Sequence, residues 1–236
     1  RGRKMKILAI DTSAKTASVA LCDDTFPLAT YTQNVGLTQS EAMLPMVENL
    51  LKDAKTDVSE IDMFACTTGP GSFTGVRIGV SLIKGLAFGK GKICVGVSTL
   101  EALAHNIDVE GAVVAPVMDA RQNRVYGAFF KIENGAPRRL SNDGIYTAEE
   151  IADIADKTYG GAYFVGDGRD IVSPFAESGV KTPKLLAGST AYSVAVAAYE
   201  KYLAASDEEK AKFTDTLLFP TYLRPSQAER NLNKKE

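Results

Sequence analysis

The sequence predicts an α/β fold in which one structural unit occurs twice. Residues 6–11 and residues 113–119 are apolar runs typical of buried strands, and each run ends on an aspartate. A glycine-containing turn follows in each unit, at residues 69–75 and at residues 166–168, again about a hundred residues apart. Strands that alternate with helical segments in this way indicate two α/β halves related by internal duplication.

The composition is that of an ordinary globular protein. Of the 236 residues, 45% are apolar and 24% are charged, and the net charge of −2 provides no field that would attract nucleic acid over the whole surface. The three cysteines lie in strand-like runs, so we expect reduced core residues. No run approaches the ~20 apolar residues of a membrane span, and no signal peptide precedes the first strand. We therefore expect a cytoplasmic protein without a membrane segment.

The first half is predicted to extend over residues 5–106 and to contain a mixed five-stranded sheet. Its strands are expected at residues 6–11, 16–22, 28–34, 63–66 and 93–97. One helix should begin after Thr38, because Thr38 and Glu41 have the spacing of a capping box. A second helix should follow the glycine turn with Ser72 as its N-cap, and its apolar residues on nearly every side indicate burial on more than one face.

The second half, residues 107–186, repeats this order in a degenerate form. After its first strand we expect a returning strand at residues 125–130 and a further strand at residues 162–165. The remaining residues, 187–236, contain a last long helix at 189–205 and a tail that starts extended and ends polar. We expect this last segment to return toward the first half and its end to fray.

The turn that contains Gly69, Gly71 and Ser72 has two possible interpretations. A strand that runs through a glycine turn into a helix exposes backbone N–H groups at the positive end of the helix dipole, which is an anion site. The spacing matches neither the Walker loop nor the dinucleotide fingerprint, because a Gly-Lys-Ser/Thr ending is missing and Thr74 replaces the third glycine. Alternatively, the glycines only allow the helix to pack closely on the sheet.

The two strand-terminal aspartates and the glycine turns are what a nucleotide cleft between duplicated halves needs. A carboxylate at such a position holds Mg²⁺ or positions a phosphate or a water. The alternative is an Asx turn, in which the carboxylate accepts the N–H groups that follow it; we favour this alternative for the second aspartate. The residues predicted to line the cleft are Asp11, Thr12, Ser13, Gly69, Gly71, Ser72, Asp119, Gly166 and Gly168.

Metal-dependent and nucleophilic chemistry have few candidate residues. His105 is the single histidine, and it lies at the end of a predicted helix, where a surface or capping role is typical. No G-x-S-x-G elbow occurs, so a Ser–His–Asp triad has no framework. We expect no metal site and no catalytic residue in this chain.

Five motifs together resemble one bacterial protein family. They are KILAIDTS at 6–13, TGPGSFTGVRIG at 68–79, GVSTL at 96–100, MDAR at 118–121 and YLR at 222–224. In this order they are similar to the TsaB (YeaZ) family of tRNA threonylcarbamoyladenosine biosynthesis proteins, and the resemblance covers nearly the whole chain. It implies the duplicated two-domain fold of the actin/hexokinase/Hsp70-like (ribonuclease H-like) superfamily.

The resemblance also implies a function. Members of this family are similar to TsaD, in which a His-x-x-x-His pair binds a metal; here the corresponding positions are Thr99 and Leu103, and neither side chain replaces an imidazole. The implied role is therefore a non-catalytic subunit, not an enzyme. It binds and activates TsaD as that enzyme forms N6-threonylcarbamoyladenosine (t6A) at position 37 of tRNA. Many relatives have a histidine where this chain has Gln39.

Further partners and cofactors follow from the same resemblance. TsaE, an ATPase, is expected to join the complex, TsaC to supply threonylcarbamoyl-AMP, and tRNA to be bound through the complex rather than directly. ATP and a metal are expected on partner subunits, and this chain should require no cofactor. The isolated chain is expected to form a homodimer.

The expected contact surface for TsaD is the pair of helices at residues 43–51 and 75–86, because both carry more apolar residues than one core face uses. The alternative is that the chain's own second domain buries them. The residues predicted for this interface are Met43, Val47, Leu50, Leu51, Gly75, Gly79, Leu82, Ile83 and Leu86.

Two other functions remain open. The chain would be an independent enzyme of the same fold, a metalloprotease or a small-molecule kinase, if the cleft between its halves performs chemistry. A nucleotide-sensing module is a further alternative. The low histidine content argues against the protease, and the short glycine turn at residues 166–168 argues against the kinase.

Overall fold

A computed structural model describes residues 3–36, 38–186, 188 and 190–224, and it contains two sheets. The strands of the first sheet are β1 (Lys6–Asp11), β2 (Ala17–Asp23), β3 (Phe26–Gln33), β4 (Met63–Gly69) and β5 (Ile93–Ser98). They lie in the order β3-β2-β1-β4-β5, with the first three antiparallel and β1, β4 and β5 parallel. The mixed five-stranded sheet is therefore confirmed, and β3 begins two residues earlier than predicted.

Three helices accompany the first sheet. They are α1 (Gln39–Asp53), α2 (Phe73–Ala87) and α3 (Thr99–Ala104). The predicted capping box is confirmed, since the side chain of Glu41 accepts the backbone N–H of Thr38 at 3.0 Å. Ser72 caps α2 by accepting the N–H of Gly75 at 3.2 Å, and Ser98 caps α3 in the same manner.

The second sheet repeats the topology of the first. Its strands are β6 (Val113–Arg121), β7 (Arg124–Gly127), β8 (Phe130–Glu133), β9 (Ala136–Arg139), β10 (Gly144–Thr147), β11 (Tyr163–Val165) and β12 (Val180–Lys181). The order β10-β7-β6-β11-β12 matches β3-β2-β1-β4-β5 strand for strand, with the same parallel and antiparallel pairs. The internal duplication is therefore confirmed, and β8 and β9 form an additional hairpin beside β6.

Four further helices complete the described chain. They are α4 (Ala148–Tyr159), α5 (Arg169–Val172), α6 (Ala191–Ala204) and α7 (Asp207–Lys210). Helix α4 occupies the place in the second half that α1 has in the first; its capping box, formed by Thr147 and Glu150, is a sequence signal that the prediction of this half omitted. Helix α6 packs across β1 and β2, so the chain returns to the first half after the second.

Alternating side chains of the first sheet fill two separate core layers. Leu8 and Ile10 of β1 pack toward α1 and α2, whereas Ile7 and Ala9 pack toward α6. Helix α3 lies between the halves, because Leu100 joins the core of the second sheet while Ala102, two residues on, joins the layer under α6. Among the described residues, no helix combines the length and the apolar character that crossing a bilayer requires.

Candidate functional site

The glycine turn is bonded to the turn that follows β1. The backbone N–H of Ser72 donates to the carbonyl oxygen of Ser13 at 2.7 Å. Gly71, at φ 156°, lies so near that a Cβ atom would be 2.5 Å from the same oxygen, and Gly69, at φ 115°, is equally close to Thr221. Only glycine fits these two positions. Close packing therefore explains why both positions are glycine. It also engages the Ser72 amide, which a bound phosphate would otherwise have used.

Asp11 lies inside the first half rather than on a cavity wall. Its side chain is 1% exposed, and Oδ1 accepts the N–H of Ser13 at 2.9 Å and the hydroxyl of Thr67 at 2.7 Å. This is the Asx arrangement that the sequence left as one alternative. Thr12 is equally buried, and its hydroxyl donates to the carbonyl of Gly75 at 2.7 Å.

The second aspartate is exposed, in contrast to the first. Asp119 accepts the N–H of Arg121 at 2.7 Å, which is again an Asx turn, and its own N–H donates to Oδ1 of Asp167 at 3.0 Å. Burial raises the pKa of Asp167 above its ordinary value; the nearby carboxylate of Asp119 acts in the same direction, while the hydrogen bond from the Asp119 amide and the charge of Lys15 oppose it. Gly166, at φ 110°, abuts the carbonyl of Val117.

A cavity of about 780 Å³ lies between the halves. Four of the nine predicted cleft residues reach it, whereas Asp11, Thr12, Gly69, Gly166 and Gly168 do not line it. Its wall also contains four cationic side chains and the acidic side chain of Asp167 that the sequence prediction did not include. The predicted residues that line the cavity are Ser13, Gly71, Ser72 and Asp119, and the additional charged ones are Lys15, Arg121, Asp167, Lys184 and Arg224.

Over the part of the chain that the structure describes, the cavity wall offers no cluster of metal ligands. Among the described residues, no three His, Cys, Asp or Glu side chains lie close enough together to hold a metal ion. His105 lies away from the cavity at the end of α3. Its Nδ1 is 3.0 Å from the carbonyl oxygen of Glu101, and its Nε2 is 3.1 Å from Oε2 of Glu200 on α6.

The segment at residues 218–224, which includes the extended start of the predicted tail, returns to this cleft. Leu218 is buried in the core of the first half, and the N–H of Thr221 donates to the carbonyl of Thr68 at 2.7 Å. Tyr222 stacks on Phe73 with ring centroids 4.6 Å apart. The YLR motif was the available signal, but its contacts are more than a hundred residues away in sequence. The rest of the predicted tail lies outside the described residues.

A groove of about 450 Å³ runs between α1 and α2 on the opposite side of Phe73. Most of the residues predicted for the interface do not form it, because they face inward. Met43, which does reach the groove, is 1% exposed, and Leu82 and Leu86 are half-buried. The fully buried members of the predicted set are Met43, Val47, Leu50, Leu51, Gly75, Gly79 and Ile83.

These inward side chains are therefore not accessible to a partner in the described structure, and their place in an interface stays a prediction. Val47 and Leu50 pack in the core between α1 and the sheet. Gly75 and Gly79 face Thr12 of the same chain: a Cβ atom on Gly75 would be 2.0 Å from the Thr12 carbonyl oxygen, and one on Gly79 would be 2.4 Å from the Thr12 hydroxyl. The close approach at these two glycines is therefore intramolecular.

The surface of the groove consists of other residues. Leu44 is 46% exposed, and Ile78 and Leu82 are half-buried beside it. At one end, Gln39 donates from Nε2 to the carbonyl of Ala14 at 2.9 Å, so its side chain ties α1 to the turn after β1. The full lining is Gln39, Ser40, Met43, Leu44, Phe73, Thr74, Arg77, Ile78, Ser81 and Leu82.

Two sheets of one topology that meet at a common cleft define the actin/hexokinase/Hsp70-like class of α/β proteins. Within that class, a family model described as "TsaD: tRNA N6-adenosine threonylcarbamoyltransferase" matches residues 36–232. The "tRNA threonylcarbamoyladenosine biosynthesis protein TsaB" of Escherichia coli K12 is 35% identical over 167 residues, which are 70% of this chain and 72% of that protein. The chain belongs to the TsaB (YeaZ) family.

Two further comparisons agree with this assignment. The TsaB protein of Bacillus subtilis 168 is 36% identical over 139 residues; the match spans 59% of this chain and 61% of that protein. The solved structure of YeaZ from Pseudomonas aeruginosa superposes with a TM-score of 0.77 at 26% identity and covers 93% of this chain and all of that one. The family that the five motifs indicated is thereby confirmed.

Proposed function

We propose that this chain is a non-catalytic subunit that binds and activates a TsaD-type transferase for t6A formation at position 37 of tRNA. The names of its relatives support a place in threonylcarbamoyladenosine biosynthesis. The observation that carries the partner role is the open groove between α1 and α2. In this proposal ATP and the metal belong to partner subunits, TsaE joins the complex, and tRNA is bound through the complex. The same groove joins two copies when the chain is alone.

The groove has the chemistry of a helix-docking site. Leu44, Ile78 and Leu82 provide an apolar floor, whereas Thr74 and Arg77 supply a polar rim. Interfaces between proteins commonly place an apolar centre inside such a rim, and an amphipathic helix binds by laying its apolar face into a groove of this kind. An apolar helix face from the partner is therefore the occupant that the groove suits.

The cleft supports the non-catalytic part of the proposal. A carboxylate that positions water or a metal must reach the reacting atoms, but Asp11 already accepts two internal hydrogen bonds. The Ser72 amide, which an anion at the turn would need, is bonded to Ser13. Residues 221–224 of the chain itself also line the cleft. The Asp11 carboxylate and the Ser72 amide are therefore already hydrogen-bonded within the chain, and a substrate would have to displace these bonds.

A charge in the groove tests the proposal. We expect Leu44→Glu to weaken binding of a TsaD-type partner about a hundredfold or more, because the new carboxylate would be desolvated at an apolar contact. Formation of t6A in a reconstituted assay should fall with it. Leu203→Glu is the matched control, since Leu203 is 57% exposed on α6, across the sheet from the groove. Normal t6A formation by the Leu44→Glu protein would overturn the proposal.

A second candidate function is an independent enzyme that uses the cleft. The observation in its favour is the 780 Å³ cavity, into which the carboxyl groups of Asp119 and Asp167 both project. Under this alternative, Asp119→Asn should lower activity by orders of magnitude while the groove variant keeps it. Titration of the purified chain with ATP and Mg²⁺, together with the Asp119→Asn protein in the t6A assay, distinguishes the two candidates.

A further inference from the structure

One short segment contacts the core of the first half, the glycine turn and the first strand of the second half. Residues 218–224, here termed the C-terminal strap, begin at Leu218, which is 4% exposed in the core beneath α1 and α2. The strap then crosses the glycine turn, where the N–H of Thr221 donates to the carbonyl of Thr68 at 2.7 Å. Its last described residue, Arg224, donates from Nη1 to the carbonyl of Ala120 in β6 at 2.7 Å. The strap therefore joins the two halves.

Between these attachment points, the strap holds one wall of the groove. The hydroxyl of Tyr222 accepts a hydrogen bond from Nε of Arg77 at 2.7 Å, and the Tyr222 ring stacks on Phe73. The guanidinium of Arg77 in turn lies 3.9 Å from the centroid of the Phe73 ring. Phe73 lines both the groove and the cleft, so its ring is the partition between them. Tyr222 supports that partition from the cleft side.

We propose that the C-terminal strap couples the angle between the two halves to the shape of the α1–α2 groove. A displacement of β6 relative to the first sheet moves the attachment of Arg224, while Leu218 and Thr221 stay with the first half. The intervening Tyr222 then shifts against Phe73 and Arg77. Because the N–H of Thr221 is hydrogen-bonded to Thr68 at the glycine turn, a movement of Arg224 displaces the short segment between these two attachments, which contains Tyr222.

The coupling has a defined consequence for a ligand in either place. A partner that binds the groove in its described shape favours one angle between the halves, and any molecule that closes or opens the cleft changes affinity for the partner by the reciprocal factor. The effect on partner affinity rests on the proposed function, because that effect requires the groove to be the docking site. The mechanical coupling itself is a property of the isolated chain.

Hydrogen exchange of the isolated protein tests the coupling. Arg224→Ala removes the attachment to the second half, and Arg224 does not itself line the groove. We expect the amides of Val76 and Arg77, near the start of α2, to exchange about tenfold faster in this variant, since the groove wall then populates other positions. Arg138→Ala is the matched control, because Arg138 is an exposed arginine of the second half paired with Glu133 at 3.2 Å. It should leave these amides unchanged.

A second variant distinguishes a local change in the groove wall from a general loss of stability. Tyr222→Phe retains the stacked ring but loses the hydrogen bond from Arg77, and we expect a smaller increase at the same two amides with an unaltered melting temperature. Faster exchange confined to residues 218–224, with α2 unchanged in both variants, would overturn the proposal.

Partner binding then separates this inference from the proposed function. With a TsaD-type protein as the probe, Arg224→Ala should weaken binding about tenfold, a factor ordinary for coupling between two sites. If Leu44→Glu leaves binding intact, the groove is not the docking site, and the exchange result still decides the coupling. If Leu44→Glu abolishes binding while Arg224→Ala changes neither binding nor exchange, the docking site stands and the coupling is refuted.

Discussion

Ser13 accepts the backbone N–H of Ser72 across the cleft edge, and this 2.7 Å hydrogen bond joins the turn after β1 to the start of α2. Two glycines make the contact possible: Gly71 because it abuts the Ser13 carbonyl, and Gly75 because it abuts the carbonyl of Thr12. In this chain the glycine turn is a structural joint, and variants in it should change stability before they change any binding property.

Gly75→Ala is expected to lower the free energy of unfolding by about 1–3 kcal/mol, because the added Cβ would be 2.0 Å from the Thr12 carbonyl oxygen. Gly85→Ala in the same helix is the control. No atom lies within 4 Å of its Cβ position, so this variant should be stabilised by up to about 1 kcal/mol. Urea unfolding of both variants measures the difference, and equal midpoints would contradict the intramolecular packing of α2.

Asp11→Ala should be destabilised by about 1–3 kcal/mol, because it leaves the N–H of Ser13 and the hydroxyl of Thr67 buried without their acceptor. Asp119→Ala removes an exposed carboxylate and should cost less than about 1 kcal/mol. Under the proposed function, Asp11→Asn keeps most t6A formation, since an amide oxygen still accepts both bonds. Loss of t6A with unchanged stability would instead make Asp11 a catalytic residue.

Asp167 and Asp170 should affect the pH dependence of stability in opposite directions. Partial desolvation by the cleft walls raises the pKa of Asp167, although the residue is exposed at the cleft, so its ionisation costs stability as the pH rises from the ordinary value of 3.8 through the folded-state pKa. The free energy of unfolding of the Asp167→Asn protein should therefore rise relative to that of the wild type as the pH increases. The hydrogen bond from Lys181 lowers the pKa of Asp170, whose contribution is present above 3.8 and is lost as the pH falls.

Unfolding in urea between about pH 3 and about pH 7 measures both effects, each as a difference from the wild type. Relative to the wild type, Asp170→Asn should lose stability as the pH rises to 3.8, whereas Asp167→Asn should gain stability as the pH rises above 3.8. The same sign for both variants would mean that burial does not control the ionisation of Asp167.

The three thiols should be unreactive in the folded protein. Burial raises the pKa of Cys22 to about 12 and of Cys94 to about 11, and it raises the pKa of the fully enclosed Cys66 as well. At pH 8 the Cys94 thiolate is then about a hundredfold scarcer than that of an unperturbed thiol. Mass spectrometry after brief treatment with iodoacetamide should find no adduct on native protein and three on protein in urea. A rapidly labelled native thiol would contradict this burial.

Much of the fold is determined by local sequence. Alternating or apolar runs specified β1 and β2, the Thr38 and Glu41 pair specified the start of α1, and Ser72 specified the start of α2, because each signal acts within a few residues. The repeated order of strands, aspartates and glycine turns was sufficient to predict the duplication and, with the five motifs, the family.

The tertiary structure decided what those local signals leave undetermined. The apolar surplus of α2 predicted burial on more than one face, but only the packing of Gly75 on Thr12 identifies the chain's own turn as the neighbour. The groove residue Leu44 is exposed, while Val47, one turn further along α1, is buried. Likewise, Tyr222 reaches Phe73 across a large sequence separation. Periodicity states how many sides of a helix are apolar, whereas the partner of each side depends on contacts between residues that are distant in sequence.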